Sequence, residues 1–308
     1  VSTPIGQVAK PIDSEPAPGD VAAAVRRSRL PSWVVILWAN RKSRIGLIML
    51  GLFIFVAVFA PLLATHDPKV TDFAQSLPPG GAHPLGTTAS GQDILSQLVY
   101  GARTSIVVGL VAGTVVTFIA LLVGLTAGYL QGWVDEVLSF LINLALVVPV
   151  LPLMITIAAY SPVRGLFLII FVISITGWAW GARVKRAQIL TLRSRDYITA
   201  ARFAGEGRLR IIFAEIMPNM MSLVVAGFLG AAAGAIGAEA GLEFLGLGDP
   251  TTVSWGTMLY WANNSGAMLT GQWIWLGAPG LAIALLLSSL TLINFGVDAL
   301  SNPHLRER

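Results

Sequence analysis

Residues 106–130 read IVVGLVAGTVVTFIALLVGLTAGYL, twenty-five consecutive positions without a charge or a histidine. A helix needs about 20 apolar residues to cross a hydrocarbon layer about 30 Å thick, and this stretch exceeds that. Working outward, five more blocks share the property: Ile45–Ala64, Val137–Tyr160, Gly165–Ala182, Pro218–Ala238 and Trp273–Val297. The six together hold 133 of the 308 residues, so evenly scattered charges would leave about 16 of the 36 inside them; they hold none. Charged residues make up 12% of the chain and hydrophobic residues 55%, against about 25% charged in an ordinary soluble domain. Lipid offers no partner to a backbone N–H or C=O, so a spanning segment is a helix or a strand of a closed barrel. The blocks lack every-second-residue alternation and are too long for barrel strands. The expectation is an all-α integral membrane protein with six transmembrane helices. A soluble enzyme, a disordered regulator and a disulfide scaffold are excluded.

Lys and Arg set the orientation. With six spans, one side carries both termini, the 131–136 turn and residues 183–217, and collects 17 of the 20 basic residues; the other side collects Lys69, Arg103 and Arg164. Basic residues stay on the cytoplasmic face, which predicts cytosolic N- and C-termini. The net charge of +4 follows from this topology and implies no nucleic-acid partner, since no soluble basic fold remains to carry one. With no cysteine, thiol chemistry is absent. The first apolar block begins at residue 45, too late for the apolar core of a cleavable leader. Residues 1–29, rich in Pro, Ala and Ser, read as a disordered cytosolic tail. Residues 30–44 combine Trp33, Val34, Ile36, Leu37 and Trp38 with Arg41, Lys42 and Arg44, the pattern of a short interfacial helix on the bilayer surface.

Two long segments face outside. In Thr65–Ser105 the apolar spacing of Ile94, Leu95, Leu98 and Val99 predicts a helix lying on the outer leaflet before the second span. In Glu239–Gln272 the group Trp255, Met258, Leu259, Tyr260 and Trp261 predicts another surface helix. The pairs Gly109/Gly113, Gly124/Gly128 and Gly230/Gly234 have the spacing that lets helices approach closely in a membrane. Pro149 and Pro152 interrupt the third span and Pro279 the sixth.

The most informative cytosolic stretch is Ser194–Asn219, SRDYITAARFAGEGRLRIIFAEIMPN. Asp196 is placed to cap a helix starting at Tyr197. Ala200 and Ala201 make that helix thin, and Gly205 supplies the left-handed residue that ends it. A second helix follows with Ile211, Ile212 and Ile216 on its apolar side, and Pro218 changes its course. Such a helix–turn–helix beneath a membrane bundle suits a groove on another protein.

Thr199-Ala200-Ala201-x3-Gly205, then nine residues, then Glu215-x-Met217-Pro218, resembles the EAA loop of ABC-importer membrane subunits, with Thr199, Glu215 and Met217 in place of Glu, Ile and Leu. HPLGTTASGQDILSQLVYGARTS (His83–Ser105) resembles the HPLGTDxxGRDxLSRxxxGARxS stretch of the C-type permease of the dipeptide/oligopeptide/nickel branch; Thr88, Gln92 and Gln97 replace Asp, Arg and Arg. GLEFLGLGDPTTVSWGTML (Gly241–Leu259) is similar to the LSFLGLG…WGxML signature of the same subunit, with Glu243 replacing Ser. The resemblance covers residues 30–300. It implies a type I ABC importer permease fold over residues 45–302, in a bacterial inner or plasma membrane, with residues 194–219 carrying a coupling helix. It implies ATPase coupling through Tyr197, Thr199, Ala200, Ala201, Phe203, Gly205 and Pro218. The outer motifs are then represented by Gly86, Thr87, Gly91, Asp93, Gly101 and Arg103, and by Gly246, Gly248, Trp255 and Gly256.

The chain has no Gly-x4-Gly-Lys-Ser/Thr loop to cradle nucleotide phosphates. The resemblance therefore implies a non-catalytic subunit that binds no cofactor or metal. ATP and Mg would sit on two partner ATPase domains, beside a second, B-type permease subunit and an extracytoplasmic substrate-binding protein. Di- or oligopeptides are the expected cargo; the same architecture carries nickel, haem or other solutes. A secondary transporter driven by an ion gradient would place Asp, Glu or His at membrane depth. The six cores have none, and Glu215, Glu239, Glu243 and Asp298 are expected at or beyond the ends. An intramembrane enzyme would need clustered ligands, whereas His66, His83 and His304 are scattered along the sequence.

Overall fold

A computed structural model describes residues 32–301. The tail expected over residues 1–29 lies outside the described residues. Regular structure among the described residues is helical, with two isolated bridges, Gly80 to His83 and Thr87 to Asp93. The helices are α1 (Ser32–Ala39), α2 (Arg41–Val58), α3 (Ala60–Leu63), α4 (Ile94–Leu130), α5 (Gly132–Val147), α6 (Val150–Tyr160), α7 (Leu166–Thr176), α8 (Trp178–Arg193), α9 (Asp196–Phe203), α10 (Met221–Phe244), α11 (Trp255–Asn264) and α12 (Trp273–Ser301). Between α9 and α10 run a single turn at Arg208–Arg210, a π-helical turn at Ile211–Ile216 and a last turn at Met217–Asn219.

Four helical stretches are long and apolar enough to cross a membrane: Ile94–Leu130, Leu166–Arg193 (α7 with α8), Met221–Phe244 and Trp273–Asp298. The α5–α6 pair makes a fifth if its two halves form one span. These two halves are bent by 83°, so the third expected block is not one helix. Its break falls at Val148–Pro149, where Val148 is extended because the ring of a following proline disfavours the helical conformation. The first expected block lies in α2 and α3, and α2 opens with Arg41, Lys42 and Arg44. These three basic residues therefore start α2 instead of finishing the interfacial helix, and α2 is not among the described helices long and apolar enough to cross. Asn40 separates the two, its side chain accepting a hydrogen bond from Ser43 N at 3.0 Å. Short α1 keeps Trp33 and Trp38 exposed and Leu37 buried.

Three other expectations change. The surface helix expected around Ile94–Val99 is the first part of α4, continuous for 37 residues, about 55 Å at 1.5 Å per residue. The fourth block runs on as α8 to Arg193, well past Ala182. The fifth starts at Met221, not Pro218, which sits in the preceding turn.

Helix α4 is the axis of the bundle and packs along α8 on one side and α10 on the other, while α2 packs on α12. Glycines set the closest approaches. A Cβ on Gly113 would lie 2.9 Å from Ala232 Cα of α10, and one on Gly124 would lie 2.9 Å from Ala182 O of α8. Gly109 and Gly128 are similarly crowded, by Ile236 and Ile189. Gly230 and Gly234 are not: nothing lies within 4 Å of a Cβ there. Their spacing reflects an open face of α10, not a helix contact.

Candidate functional site

The site residues gather at opposite ends of α4. At the first end, which we call the motif end, both outer motifs meet. The loop before α4 is folded around Asp93, the N-cap of that helix. Asp93 is fully buried. Its Oδ2 accepts from Ser96 N (2.8 Å), Ser96 Oγ (2.6 Å) and Thr65 Oγ1 (3.1 Å), and its Oδ1 lies 2.9 Å from His83 Nδ1. Burial pushes this carboxyl up, but the hydrogen bonds from Ser96, His83 and Thr65 outweigh it and hold Asp93 below the usual carboxylate range. Thr87 bridges the loop, accepting from Leu77 N and donating to Ala74 O. Gly86 and Gly91 both have positive φ, and a Cβ would strike Leu77 O at 2.4 Å and Phe73 O at 2.3 Å; no other residue fits there.

The three departures from the family pattern in this stretch support one another. Gln97 Nε2 donates to Gln92 Oε1 at 2.9 Å, and Thr88 Oγ1 accepts from Ser90 N and Gln92 N. Scattered in sequence, His66 and His83 come together in space with ring centroids 4.9 Å apart. With Asp93 they offer ligand atoms within 4.8 Å of one another. Both Asp93 oxygens are already engaged by the helix cap and His83, so this carboxylate orients the loop.

The second motif closes over the first. Gly101 faces Trp255, and a Cβ there would lie 2.7 Å from Trp255 Cδ1. Trp255 Nε1 donates to Leu98 O at 2.9 Å, and Thr104 Oγ1 donates to Val253 O at 2.8 Å. Ser254 caps α11, the expected second surface helix, in a reciprocal box with Thr257. Gly248 and Gly256 wrap Glu243: a Cβ on Gly256 would lie 2.7 Å from Glu243 Cβ, and one on Gly248 2.8 Å from Glu243 Cγ. Gly246, at positive φ, lies under Tyr260. Arg103 is exposed and lines a polar cleft with Lys69, His66 and Tyr100.

Glu239 and Glu243, expected beyond the membrane-spanning stretch, belong to the last turns of α10 and are fully enclosed. Ser254 Oγ donates to Glu243 Oε2 and Ser105 Oγ to Glu239 Oε2, while Glu239 Oε1 has no partner. The replacement of a family serine by Glu243 was the one sequence signal of this pair.

At the other end, the hairpin end, α9 runs one residue earlier than expected. Asp196 is its first residue and Arg195 its N-cap, with no side-chain cap bond. Ile198 is fully buried and anchors α9 to Leu125, Tyr129, Ile189, Ile211, Ile216 and Met220. The rest of the helix points away from the bundle. Tyr197, Thr199 and Ala200 are exposed, Ala201 is half-buried, and Phe203 is 88% exposed. Gly205 has φ +79, and its N–H and that of Glu206 donate to Arg202 O and Ala201 O, closing the helix as its position predicts. The next turn is π-helical, with Met217 N donating to Ile212 O, so the segment takes one extra residue into its turn before it reaches exposed Pro218. Arg193 Nη1 donates to Tyr129 O at 2.8 Å, and Arg186 grips Asp135 with Nε and Nη2 at 2.5 and 2.7 Å. These contacts tie α8 to the ends of α4 and α5.

Between the ends, a cavity of about 680 Å³ is bounded by α4, α6, α8 and α10. The open face of α10, with Gly230 and Gly234, lines it.

An all-α bundle with several membrane-crossing helices, an outer-motif clasp at one end and an exposed helix–turn–helix at the other defines a multi-pass membrane protein of the transporter type. Residues 120–307 match the family described as "Binding-protein-dependent transport system inner membrane component", and residues 35–79 match "N-terminal TM domain of oligopeptide transport permease C"; the chain belongs to this family of permeases. It is 35% identical over 222 residues to an oligopeptide transport system permease protein of Bacillus subtilis (strain 168), covering 71% of this chain and 72% of that one. It is 34% identical over 275 residues to a di/tripeptide transport system permease protein of Pseudomonas aeruginosa (strain UCBPP-PA14), covering 87% and 89%. It is also 34% identical over 273 residues to an oligopeptide transport system permease protein of Mycobacterium tuberculosis (strain ATCC 25618 / H37Rv), covering 87% and 92%.

Proposed function

We propose that this chain is the non-catalytic permease subunit of an ATP-driven, binding-protein-dependent importer of di- or oligopeptides, and that it forms half of the translocation path. The observation that carries this is α9: one buried isoleucine fixes it to the bundle, while Ala200 and Phe203 are exposed and Tyr197 is partly so. A thin helix held off a membrane bundle by one buried side chain is the shape of a lever to be gripped. In this reading the hairpin end is cytosolic, as are both termini, and α2–α3 complete six spans. Two ATPase subunits holding ATP and Mg dock there, a B-type permease pairs with the bundle, and an extracytoplasmic binding protein delivers solute at the motif end. Closure of the ATPase pair moves α9, and Ile198 with the Ile211–Ile216 turn passes that movement to α4, α8 and α10. The bundle is then a two-state element biased by a ligand bound elsewhere. The permease names of the relatives support peptides as cargo over nickel or haem.

The enclosed Glu239 and Glu243 are the feature that favours an ion-gradient carrier. Neither lines the cavity, and both are held by Ser105 and Ser254 between helices, which supports a packing role. The test uses the absence of native cysteine: Ala200→Cys in native membranes is treated with a short thiol cross-linker. Attachment to a nucleotide-binding polypeptide, altered by ATP, is expected. Labelling of the exposed thiol without such a cross-link refutes the docking role.

A further inference from the structure

The amine of Lys185 has no counter-charge among the described residues. It is 2% exposed, and among the described residues no hydrogen bond to it is formed and no carboxylate pairs with it. It lines the 680 Å³ cavity, and no other charged residue among the described ones does so. Three glycines make room for it. A Cβ on Gly124 of α4 would lie 2.9 Å from Lys185 Cβ; Cβ atoms on Gly181 and on Gly227 of α10 would lie 3.4 and 3.1 Å from Nζ. Both the stem and the head of this lysine therefore occupy space that side chains would otherwise fill.

Thr117 of α4 borders the same cavity, but its Oγ1 is buried away from it and has no partner among the described residues. The remaining lining is dominated by Gly, Ala, Val and Leu. A buried charge is expensive unless paired, and an orphaned hydroxyl loses its hydration as well. An unpaired amine in the wall of an otherwise apolar cavity is explained by an acidic ligand that pairs with it.

We propose that Lys185 is a binding residue of the translocation path that receives the carboxylate of a short solute, a peptide C-terminus foremost. This rests on the import reading above. A charge-assisted bond from ammonium to carboxylate, in a cavity with no competing charge, discriminates a free acid from its amide.

The test is uptake of trialanine and trialanine amide into vesicles containing the complete purified complex and its binding protein, the latter saturated with each solute. Expected are faster wild-type uptake of the acid, a fall of about tenfold for the acid alone in Lys185→Met, and a preference retained in Lys185→Arg. Gly227→Ala, whose methyl crowds Nζ, should weaken the preference without removing a charge, and it serves where Lys185→Met fails to assemble. An acid-to-amide ratio unchanged by Lys185→Met or by Gly227→Ala overturns the proposal while leaving import intact. So does an ion pair between Lys185 and a carboxylate of the second permease subunit. Wild-type vesicles that take up neither compound overturn the import reading, and this assignment with it.

Discussion

Replacing Gly205 tests the hairpin at its most constrained point. Its φ is +79, and nothing lies within 4 Å of a Cβ built there, so a side chain meets no steric obstacle and the cost is purely conformational. Placing an L-residue in the left-handed region costs about 1–2 kcal/mol, a factor of roughly 5–30 in the population of the native turn. Valine, branched at Cβ, fits that region worst, whereas asparagine tolerates it well. The structure therefore predicts the order Gly205→Asn, Gly205→Ala, Gly205→Val in increasing damage. The bonds from Gly205 N and Glu206 N to α9 carbonyls loosen together, and α9 loses its fixed angle to the bundle. Uptake and ATP hydrolysis measured on the same reconstituted complex should separate, with hydrolysis continuing and uptake falling about fivefold or more in the alanine variant. Loss of assembly in the valine variant would agree. Wild-type uptake by Gly205→Val, or equal damage from asparagine and valine, would refute a coupling role that depends on this turn.

Gly101→Ala should lower stability by about 1–3 kcal/mol, because its methyl must displace Trp255 or Ser254; thermal unfolding in detergent and Trp fluorescence read the change. Asp135→Ala should cost about 1–3 kcal/mol by stripping Arg186 of its two-bond partner, seen as a lower unfolding midpoint and restored in part by Asp135→Glu. The Asp93 carboxyl is held below its usual value, so its contribution is fully present above about pH 3.9 and is lost as pH falls through the lower folded value. Protease sensitivity of the 65–93 loop should therefore rise below about pH 4 in wild type, and in Asp93→Asn it should be high already at neutral pH and change little with acid.

The bundle was legible because charge avoidance over whole blocks is a physical demand of lipid, and every block proved helical. Helix limits were less so. The uncharged second block began after Arg103, which separated it from the expected surface helix, yet one exposed charge on α4 does not stop a helix. The Gly230/Gly234 spacing matched a close helix contact but faces the cavity, since small residues serve a void as well as a contact. Of the site, the hairpin and the two outer motifs were visible as patterns, and their union through Gly101 and Trp255 was not, because it joins residues 154 positions apart. Lys185 was hidden among the basic residues that flank a span. Nothing in its neighbourhood along the chain separates a lysine that reaches to the interface from one enclosed beside a cavity.

The most direct measurement is ATP-dependent peptide uptake by the complex purified from native membrane through this chain. Uptake that needs the binding protein and is abolished by a phosphate-loop substitution in a co-purified ATPase is the predicted result. Solute carried along an ion gradient by the isolated chain in vesicles, with no ATPase present, would contradict the account.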